Sequence, residues 1–243
     1  MKLAVFGATG TVGAALLDKA LDAGHELRVL ARTPSKITRT DGRLTIVKGD
    51  AKDPAAVAAT VRGTQASLSM LGGFSDPDSI RIGTALIASA MHAAGTRRIV
   101  IVQGFHLDFP GDPHNFGRKL IVPMLYLGSR SLVADSRAMA AAIQTGDLDW
   151  TVIRAPRITR GPATGSARTG SLRIGPWNSV GNADIAELML ACLEDPATIR
   201  TAPMIAAGPS RSGGPRAVGL LRTLRDIVQP PRSATTTADR VAK

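Results

Sequence analysis

A glycine-rich run close to the amino terminus is the part of the sequence best suited to holding a charged ligand. It reads Gly7-Ala8-Thr9-Gly10-Thr11-Val12-Gly13 and directly follows the apolar residues 3–6. Glycine lets the backbone turn tightly and approach a phosphate, and a helix that begins there offers N–H groups and the positive end of its dipole. The spacing is G-x-x-G-x-x-G rather than G-x-G-x-x-G. Its position after a first strand predicts a site for the pyrophosphate of a dinucleotide.

A second group of polar residues follows the next apolar segment, residues 26–30. Arg32, Ser35 and Lys36 stand in a stretch without acidic residues, and the first carboxylate after them is Asp41. In dinucleotide-binding folds a carboxylate after the second strand binds the ribose of NAD, whereas an arginine accommodates the 2′-phosphate of NADP. A guanidinium binds phosphate through two hydrogen bonds at once. A solvated basic loop is the alternative, but the group favours NADP(H) over NAD(H).

The residues around these two groups alternate between strand and helix patterns. Apolar residues at helical spacing follow the glycine-rich run, and Gly24 is typical of a helix end. The predicted strands are residues 3–6, 26–30, 44–47, 66–71, 98–102, the segment from 148 that leads into a loop by 158, and 202–207. The predicted helices are the one after the glycine-rich run, 54–63, 79–95, 131–146 and one capped by Asn182 or Asp184. Residues 159–181 are predicted to be surface loops. This alternation predicts an α/β fold, a Rossmann-like doubly wound parallel sheet with helices on both faces.

Two further features stand at the predicted carboxyl ends of strands, the edge along which open α/β sheets bind ligands. Asp50 follows the third strand, and Gly72 and Gly73 follow the fourth. Asp50 is suited to accept a hydrogen bond from the adenine amino group. A plain turn residue before the next helix is an equally good interpretation.

Composition limits the number of domains and the kinds of site. The chain has 243 residues, of which 44% are hydrophobic, and a single cysteine, Cys192. This predicts one domain over residues 1–208 and an appended basic tail over 209–243, which we expect to be mostly disordered. One cysteine excludes an intrachain disulfide, and we expect Cys192 to be buried and inert and no metal site to exist. We find no membrane-spanning run and no signal-peptide pattern, so we expect a cytoplasmic protein without membrane partners.

The net charge of +11 is unevenly distributed. The tail carries seven Arg or Lys against two Asp, and its residues 217–228 are the only part with a helical pattern. A basic balance suits nucleic acid or anionic small ligands. Because the body has no basic repeat interleaved with aromatic residues, nucleic acid is a minority interpretation and a small-molecule substrate is preferred. The oligomeric state is not predicted.

These motifs together resemble the atypical short-chain dehydrogenases with an NAD(P)H-binding domain, and within them the biliverdin reductase B/flavin reductase branch. The resemblance covers about residues 1–207 and rests on four segments: Phe6 to Gly10, Arg32 with Ser35 and Lys36, Gly49-Asp50, and Asp149 to Pro156. It implies that Gly7, Thr9, Gly10 and Val12 contact the phosphates, and that Arg32, Ser35 and Lys36 contact the 2′-phosphate. It also implies contacts of Asp50 and Ala51 with adenine and of Leu71 and Gly72 with the ribose. By the same resemblance, Pro156, Arg157 and Ile158 lie near the nicotinamide. Thr11 and Gln103 complete the predicted cofactor-binding set.

The catalytic residues of such enzymes are not found at their usual places. Where the flavin reductase branch has a serine after the fifth strand, this chain has Gly104, and Ser136 aligns with its histidine on the next helix. Larger short-chain dehydrogenases use Tyr-x-x-x-Lys, in which the lysine lowers the tyrosine pKa. The only tyrosine, Tyr126, is followed four residues later by Arg130. Both a catalytic and a packing role stay open for Tyr126.

Residues 105–128 form a long irregular connection after the predicted fifth strand, placed to cover the nicotinamide end of the cleft. Loops of this length are usually functional. Residues 105–128 contain His106 and His114, which could titrate near neutral pH. We interpret both as surface histidines, because their spacing does not suggest a metal pair.

Three functions follow, in order of preference. The first is an NADPH-dependent reductase that transfers a hydride to a conjugated acceptor such as a flavin or quinone, which needs stacking more than a dedicated acid. The second is a non-catalytic NADPH-binding redox sensor or regulatory protein on the same fold. The third, which rests on the tail alone, is a binder of nucleic acid or an acidic surface.

Overall fold

The structure is a computed structural model that describes residues 1–72, 78–110, 112, 123, 130–174 and 178–208. These residues form ten strands: β1 (Lys2–Phe6), β2 (Glu26–Ala31), β3 (Leu44–Lys48), β4 (Ala66–Ser69), β5 (Arg98–Gly104), β6 (Asp149–Ala155), β7 (Arg157–Thr159), β8 (Arg168–Gly170), β9 (Ser179–Gly181) and β10 (Met204–Ala206). The α-helices are α1 (Thr11–Asp22), α2 (Pro54–Val61), α3 (Ser79–Ala94), α4 (Arg130–Thr145) and α5 (Asn182–Glu194). The tail 209–243 with its predicted helix, as well as His114 and Tyr126, lies outside the described residues.

Eight of the described strands form one sheet in the order β3-β2-β1-β4-β5-β6-β10-β8. All neighbours are parallel except β8, which runs antiparallel to β10. The order reverses at β1, where Leu3 lies opposite Leu27 of β2 on one side and Ala66 of β4 on the other. The crevice at such a reversal is the ligand site of doubly wound folds. The predicted Rossmann-like fold is therefore confirmed.

Helices cover both faces of the sheet, which explains why its central strands are apolar throughout. Along β1, Leu3 and Val5 face a core that includes residues of α1 and α5. Ala4 and Phe6 face the opposite core, which includes residues of α2, α3 and α4. Cys192 of α5 is fully buried, and burial raises the pKa of its thiol to about 12. It lies in the first of these cores, and its burial is as predicted.

Local signals at helix ends are also confirmed. Gly24 has φ +84° and donates its N–H to Leu21, while His25 donates to Ala20, so α1 ends in the left-handed turn that glycine permits. Asp53 precedes α2 and its carboxylate accepts a hydrogen bond from Ala55 N at 2.9 Å. Pro54 occupies the first helical position, where the missing N–H costs nothing.

The prediction that residues 159–181 are all surface loops was wrong. Within them β8 extends the main sheet, and β9 pairs with β7 in a small parallel sheet, with Ile158 opposite Val180. Each of these strands has three residues, too few to show a strand periodicity, so their partners decide the structure. The fourth strand ends at Ser69 rather than residue 71, and the sixth ends at Ala155.

The start of α5 also differs from the prediction. Gly181 precedes the helix as its cap, whereas Asn182 and Asp184 lie inside the first turn. The carboxylate of Asp184 instead accepts hydrogen bonds from Thr164 N at 2.8 Å and Gly165 N at 3.3 Å. Asn182 donates from Nδ2 to the carbonyl of Thr11 at 2.9 Å, which joins the beginnings of α5 and α1. In the part of the chain described, no helix has the length and apolar character needed to cross a membrane.

Candidate active site

The glycine-rich turn between β1 and α1 has a shape that only glycine allows at two positions. Gly7 has φ +85°, and a Cβ there would lie 2.7 Å from the carbonyl oxygen of Met70. A Cβ on Gly13 would overlap the carbonyl oxygen of Gly7 and the backbone of Ala8. The first glycine therefore makes the turn beside the end of β4, and the third lets α1 pack closely against it.

The beginning of α1 has the features of an anion site. Gly10 precedes the helix without a side-chain cap, and the first turn contains no acidic residue. The first N–H groups of a helix have no partner within it, and the dipole makes this end positive. Val12 is buried in the core, so it can contact a ligand only through its backbone. Thr11 is half-buried beside it.

A cleft runs from this turn along the carboxyl ends of β1, β2, β3 and β4. It is lined by Phe6, Gly7, Thr9, Gly10, Leu30, Ala31, Arg32, Gly49, Asp50, Ala51, Met70, Leu71, Gly72 and Ser79. The structure thus brings together the predicted contacts Gly7, Thr9, Gly10, Arg32, Asp50, Ala51, Leu71 and Gly72. These are positions that the family resemblance assigns to the phosphates, the 2′-phosphate, adenine and ribose.

Arg32 and Asp50 face each other in the part of the cleft formed by the ends of β2 and β3. Their Nη1 and Oδ2 atoms are 3.9 Å apart, with side chains 63% and 36% exposed. Such an exposed pair contributes little to stability. Asp50 also accepts a hydrogen bond from Lys52 N at 2.8 Å, which is the bond of a turn residue. Both interpretations of Asp50, turn former and ligand contact, are compatible with this geometry.

The remaining predicted contacts do not line the cleft. Ser35 and Lys36 lie in an exposed 3-10 turn, Pro34–Lys36, just beyond Arg32. Beyond β6, Pro156 is buried, whereas Arg157 and Ile158 are exposed on β7. Ile158 is 37% exposed, which is unusual for a large apolar side chain in this protein.

Gln103 connects the cleft to α4. Its amide Nε2 donates to the carbonyl of Leu71 at 3.1 Å, and its Oε1 accepts a hydrogen bond from Ser136 Oγ at 3.3 Å. Gln103 is almost completely buried and Ser136 fully so. The structure therefore pairs Ser136 with Gln103, the residue that precedes Gly104. Together they place an uncharged amide and a hydroxyl side by side between the end of β5 and α4.

The interpretation of His106 as a surface residue was wrong. It is only 6% exposed, and burial together with the charge of Arg137 lowers the pKa of its imidazole to about 4. The ring lies against Gly104: a Cβ at position 104 would be 2.7 Å from its Cε1 atom. Its Nε2 atom has no hydrogen-bond partner among the described residues. A lone histidine gives no sequence pattern from which this burial could be predicted.

Arg154 is a second residue whose role sequence reasoning missed. It is 2% exposed at the end of β6 and forms an ion pair with Asp112. It also donates to the carbonyls of Leu107 and Ala202, each at 3.0 Å, and its guanidinium lies 5.1 Å from the ring centroid of Phe109. The one signal available was an arginine between the apolar residues Ile153 and Ala155. These bonds fix the segment after β5 against β6.

The fold and the glycine turn at the reversal of strand order define the class of this protein as a Rossmann-like NAD(P)-binding protein. The chain belongs to the NAD(P)H-binding family, whose sequence model matches residues 7–196. That range includes every predicted cofactor contact. The family shows a nicotinamide cofactor without distinguishing NADP from NAD.

Among proteins of known activity, a (4-alkanoyl-5-oxo-2,5-dihydrofuran-3-yl)methyl phosphate reductase from Streptomyces griseus is 28% identical over 150 residues. The match covers 62% of this chain and 45% of the reductase, so the chain spans less than half the length of that relative.

Solved structures share the fold at lower identity. The oxidoreductase ylbE from Lactococcus lactis has a TM-score of 0.74 at 17% identity, with 94% of this chain and 97% of that one covered. ChuY, an anaerobillin reductase from Escherichia coli O157:H7, has a TM-score of 0.71 at 20% identity, with 88% and 100% covered. At these identities the likeness shows the fold alone.

Proposed function

We propose that this protein is an NADPH-dependent oxidoreductase that transfers a hydride to a conjugated small-molecule acceptor such as a flavin or quinone. The observation that carries the proposal is the convergence of the glycine turn, Arg32 and the strand-end residues Asp50 and Leu71 on one cleft. A dinucleotide laid along this edge has its diphosphate at α1 and its nicotinamide near the ends of β5 and β6.

Arg32 supports NADP(H) over NAD(H). It lies at the rim of the cleft just past β2, and no carboxylate precedes it in the position that would bind an unphosphorylated ribose. The Asp50 carboxylate lies 3.9 Å from this guanidinium. Ser35 and Lys36 are exposed close by and add a hydroxyl and a positive charge.

Two lines support a reductase of this acceptor class. The Streptomyces relative is a reductase, and the chain's own motifs resemble the biliverdin reductase B/flavin reductase branch. In addition, the end of β5 carries the uncharged amide of Gln103, which is bonded to the buried hydroxyl of Ser136. Such groups can orient a ligand, but they are poor proton donors. They fit an acceptor whose conjugation spreads the incoming charge.

The residues of the chain have distinct tasks in this proposal. The bound cofactor supplies the hydride, and the protein supplies binding, orientation and electrostatics. The turn at residues 7–13 and Arg32 hold the phosphates, while Gln103 fixes the carbonyl of Leu71 beside the cleft. Arg157, exposed just beyond β6, attracts an anionic acceptor.

Nicotinamide absorbance tests the proposal directly. NADPH is incubated with the purified protein and with flavin, quinone or no acceptor, and parallel calorimetric titrations measure NADPH and NADH binding. We expect tighter binding of NADPH than of NADH, and oxidation only when an acceptor is present. Tight NADPH binding without oxidation by any acceptor would replace the reductase with the non-catalytic sensor.

A further inference from the structure

The turn after β5 folds the imidazole of His106 back onto the end of that strand. Phe105 N donates to the carbonyl of Ala155 at 2.9 Å, and Leu107 N donates to the carbonyl of Gly104 at 3.3 Å. The ring then occupies the space that a side chain at position 104 would need, because a Cβ there would overlap its Nδ1 atom. The His106 ring can therefore occupy this position only because residue 104 is glycine.

The Nε2 nitrogen of this buried ring makes no hydrogen bond to the part of the protein that the structure describes. His106 is 6% exposed, and its Nε2 has no hydrogen-bond partner within the described ranges. A buried polar atom without a partner costs free energy, and native proteins rarely keep one without a reason. Burial and the nearby charge of Arg137 keep the ring neutral at physiological pH. The fold therefore encloses a neutral imidazole whose Nε2 atom makes no hydrogen bond within the described ranges.

The ring of His106 lies at the same edge of the sheet as the cleft. Gly104 directly follows Gln103, which is bonded to the cleft residue Leu71, and it pairs in register with Ala155, the last residue of β6. His106 thus lies at the carboxyl edge of β5 and β6, past the strands that line the nucleotide cleft. In doubly wound folds, this edge is where the cofactor's reactive end and its substrate meet.

We propose that His106 contacts the acceptor, donating a hydrogen bond from Nε2–H to the carbonyl oxygen or ring nitrogen that becomes negative as the hydride arrives. This inference rests on the proposed function and narrows its substrate class to conjugated acceptors with such an atom. The acceptor gains a hydride from the dihydronicotinamide, which is oxidised. The resulting anion takes a proton from water, and His106 keeps its own. A neutral donor in a dry site stabilises developing charge without ionising.

Variants at two positions test the inference. His106→Leu removes the donor and keeps the bulk, His106→Gln restores an amide donor, and Gly104→Ala displaces the ring without changing it. His92→Gln, at an exposed histidine on α3, is the matched control. We expect His106→Leu to lower kcat by about 100- to 1000-fold, the usual cost of losing one such donor. We expect Gly104→Ala to lower kcat as well, His106→Gln to recover most of it, and NADPH affinity to be unchanged in all.

Nitrogen NMR of the imidazole rings provides a readout besides activity. The chain has four histidines, and the His106 signals are assigned by their loss in His106→Gln. With NADP⁺ present, adding flavin mononucleotide or a quinone should shift the His106 Nε2 resonance and leave that of His92 in place.

The outcomes separate this inference from the proposed function. Failure of the wild-type protein to bind NADPH, or to oxidise it with any acceptor, contradicts the proposed function and the inference with it. An active wild-type protein with unchanged kcat in His106→Leu contradicts the inference alone, as does a His106 resonance that is unmoved when calorimetry shows the acceptor bound.

Discussion

The Nη2 atom of Arg154 lies 2.7 Å from Oδ1 of Asp112, and the two side chains are only 2% and 10% exposed. The same carboxylate accepts a hydrogen bond from Phe109 N at 2.9 Å. This buried pair joins the end of β6 to the connection after β5 that contains His106. A charge enclosed in this way is stable only while its partner is present.

We therefore expect Asp112→Ala to destabilise the protein by about 3–5 kcal/mol, because it leaves the Arg154 guanidinium buried and unpaired. Denaturant unfolding measures this loss. The combined Arg154→Met, Asp112→Leu variant should recover most of it, since neither charge remains. The control Arg97→Ala breaks an exposed pair with Asp147 and should cost less than about 1 kcal/mol. Equal losses for the two alanine variants would contradict the assignment.

Gly7→Ala should abolish nicotinamide nucleotide binding. The added Cβ meets the carbonyl of Met70 at 2.7 Å, and the backbone has φ +85°, so the turn must shift away from the phosphate position. Gly63→Ala is the matched control, because its φ is +71° but no atom lies within 4 Å of the new Cβ. It should lose about 1–3 kcal/mol of stability through backbone strain and still bind. Calorimetry of the two variants compares them, and retained binding in Gly7→Ala would argue against the site.

Arg32→Ala should weaken NADPH binding far more than NADH binding, because only NADPH carries the 2′-phosphate. Loss of a hydrogen bond to a charged group costs about 1.5–3 kcal/mol, which is a weakening of about 10- to 150-fold. Arg43→Ala serves as the control, since Arg43 is bound to Asp41 at 2.8 Å and does not line the cleft. If the affinities for NADPH and NADH fall equally in Arg32→Ala, the guanidinium does not select the cofactor.

His106 should make the protein less stable as the solution is acidified. Its pKa falls from 6.5 to about 4 on folding, so the unfolded chain binds a proton more readily between these values. The contribution of the neutral ring to the free energy of unfolding is therefore fully present above about pH 6.5. It is lost as the pH falls toward 4, and the total loss is about 3 kcal/mol. Unfolding curves across this range should show a smaller loss for His106→Gln. The same slope in both proteins would show that the ring does not titrate this way.

Residues 1–208 should carry the nucleotide site alone, because every residue of the cleft lies before position 80. Deletion of 209–243 is expected to leave NADPH affinity unchanged while it weakens binding to heparin, since the tail has seven basic and two acidic residues. Calorimetry and heparin chromatography measure the two effects. A large loss of NADPH affinity in the truncated protein would show that the tail belongs to the site.

The parts predicted from the sequence are those that depend on neighbours along the chain. The turn from β1 into α1, the Gly24 helix end and the Asp53 cap each depend on residues within a few positions. The doubly wound parallel sheet could be predicted because strands that alternate with helices permit few topologies. That Asp50 and Leu71 lie on the cleft could be predicted for the same reason, since both stand just after the end of a strand.

The parts not predicted depend on contacts between distant residues. β8 is a strand because Arg168–Gly170 lies beside β10, more than thirty residues later in the chain. Arg154 meets Asp112 across the connection after β5, and His106 is buried because that connection folds back on Gly104. None of these contacts produces a periodic pattern or a motif, so no local signal indicated them.

Calorimetric titration of the wild-type protein with NADPH and NADH tests the central claim most directly. The claim is that the cleft beside Gly7 holds the diphosphate and Arg32 the 2′-phosphate. We predict measurable binding of both nucleotides, tighter for NADPH, with the preference lost in Arg32→Ala. An absence of binding heat from either nucleotide under conditions where the protein is folded would contradict it.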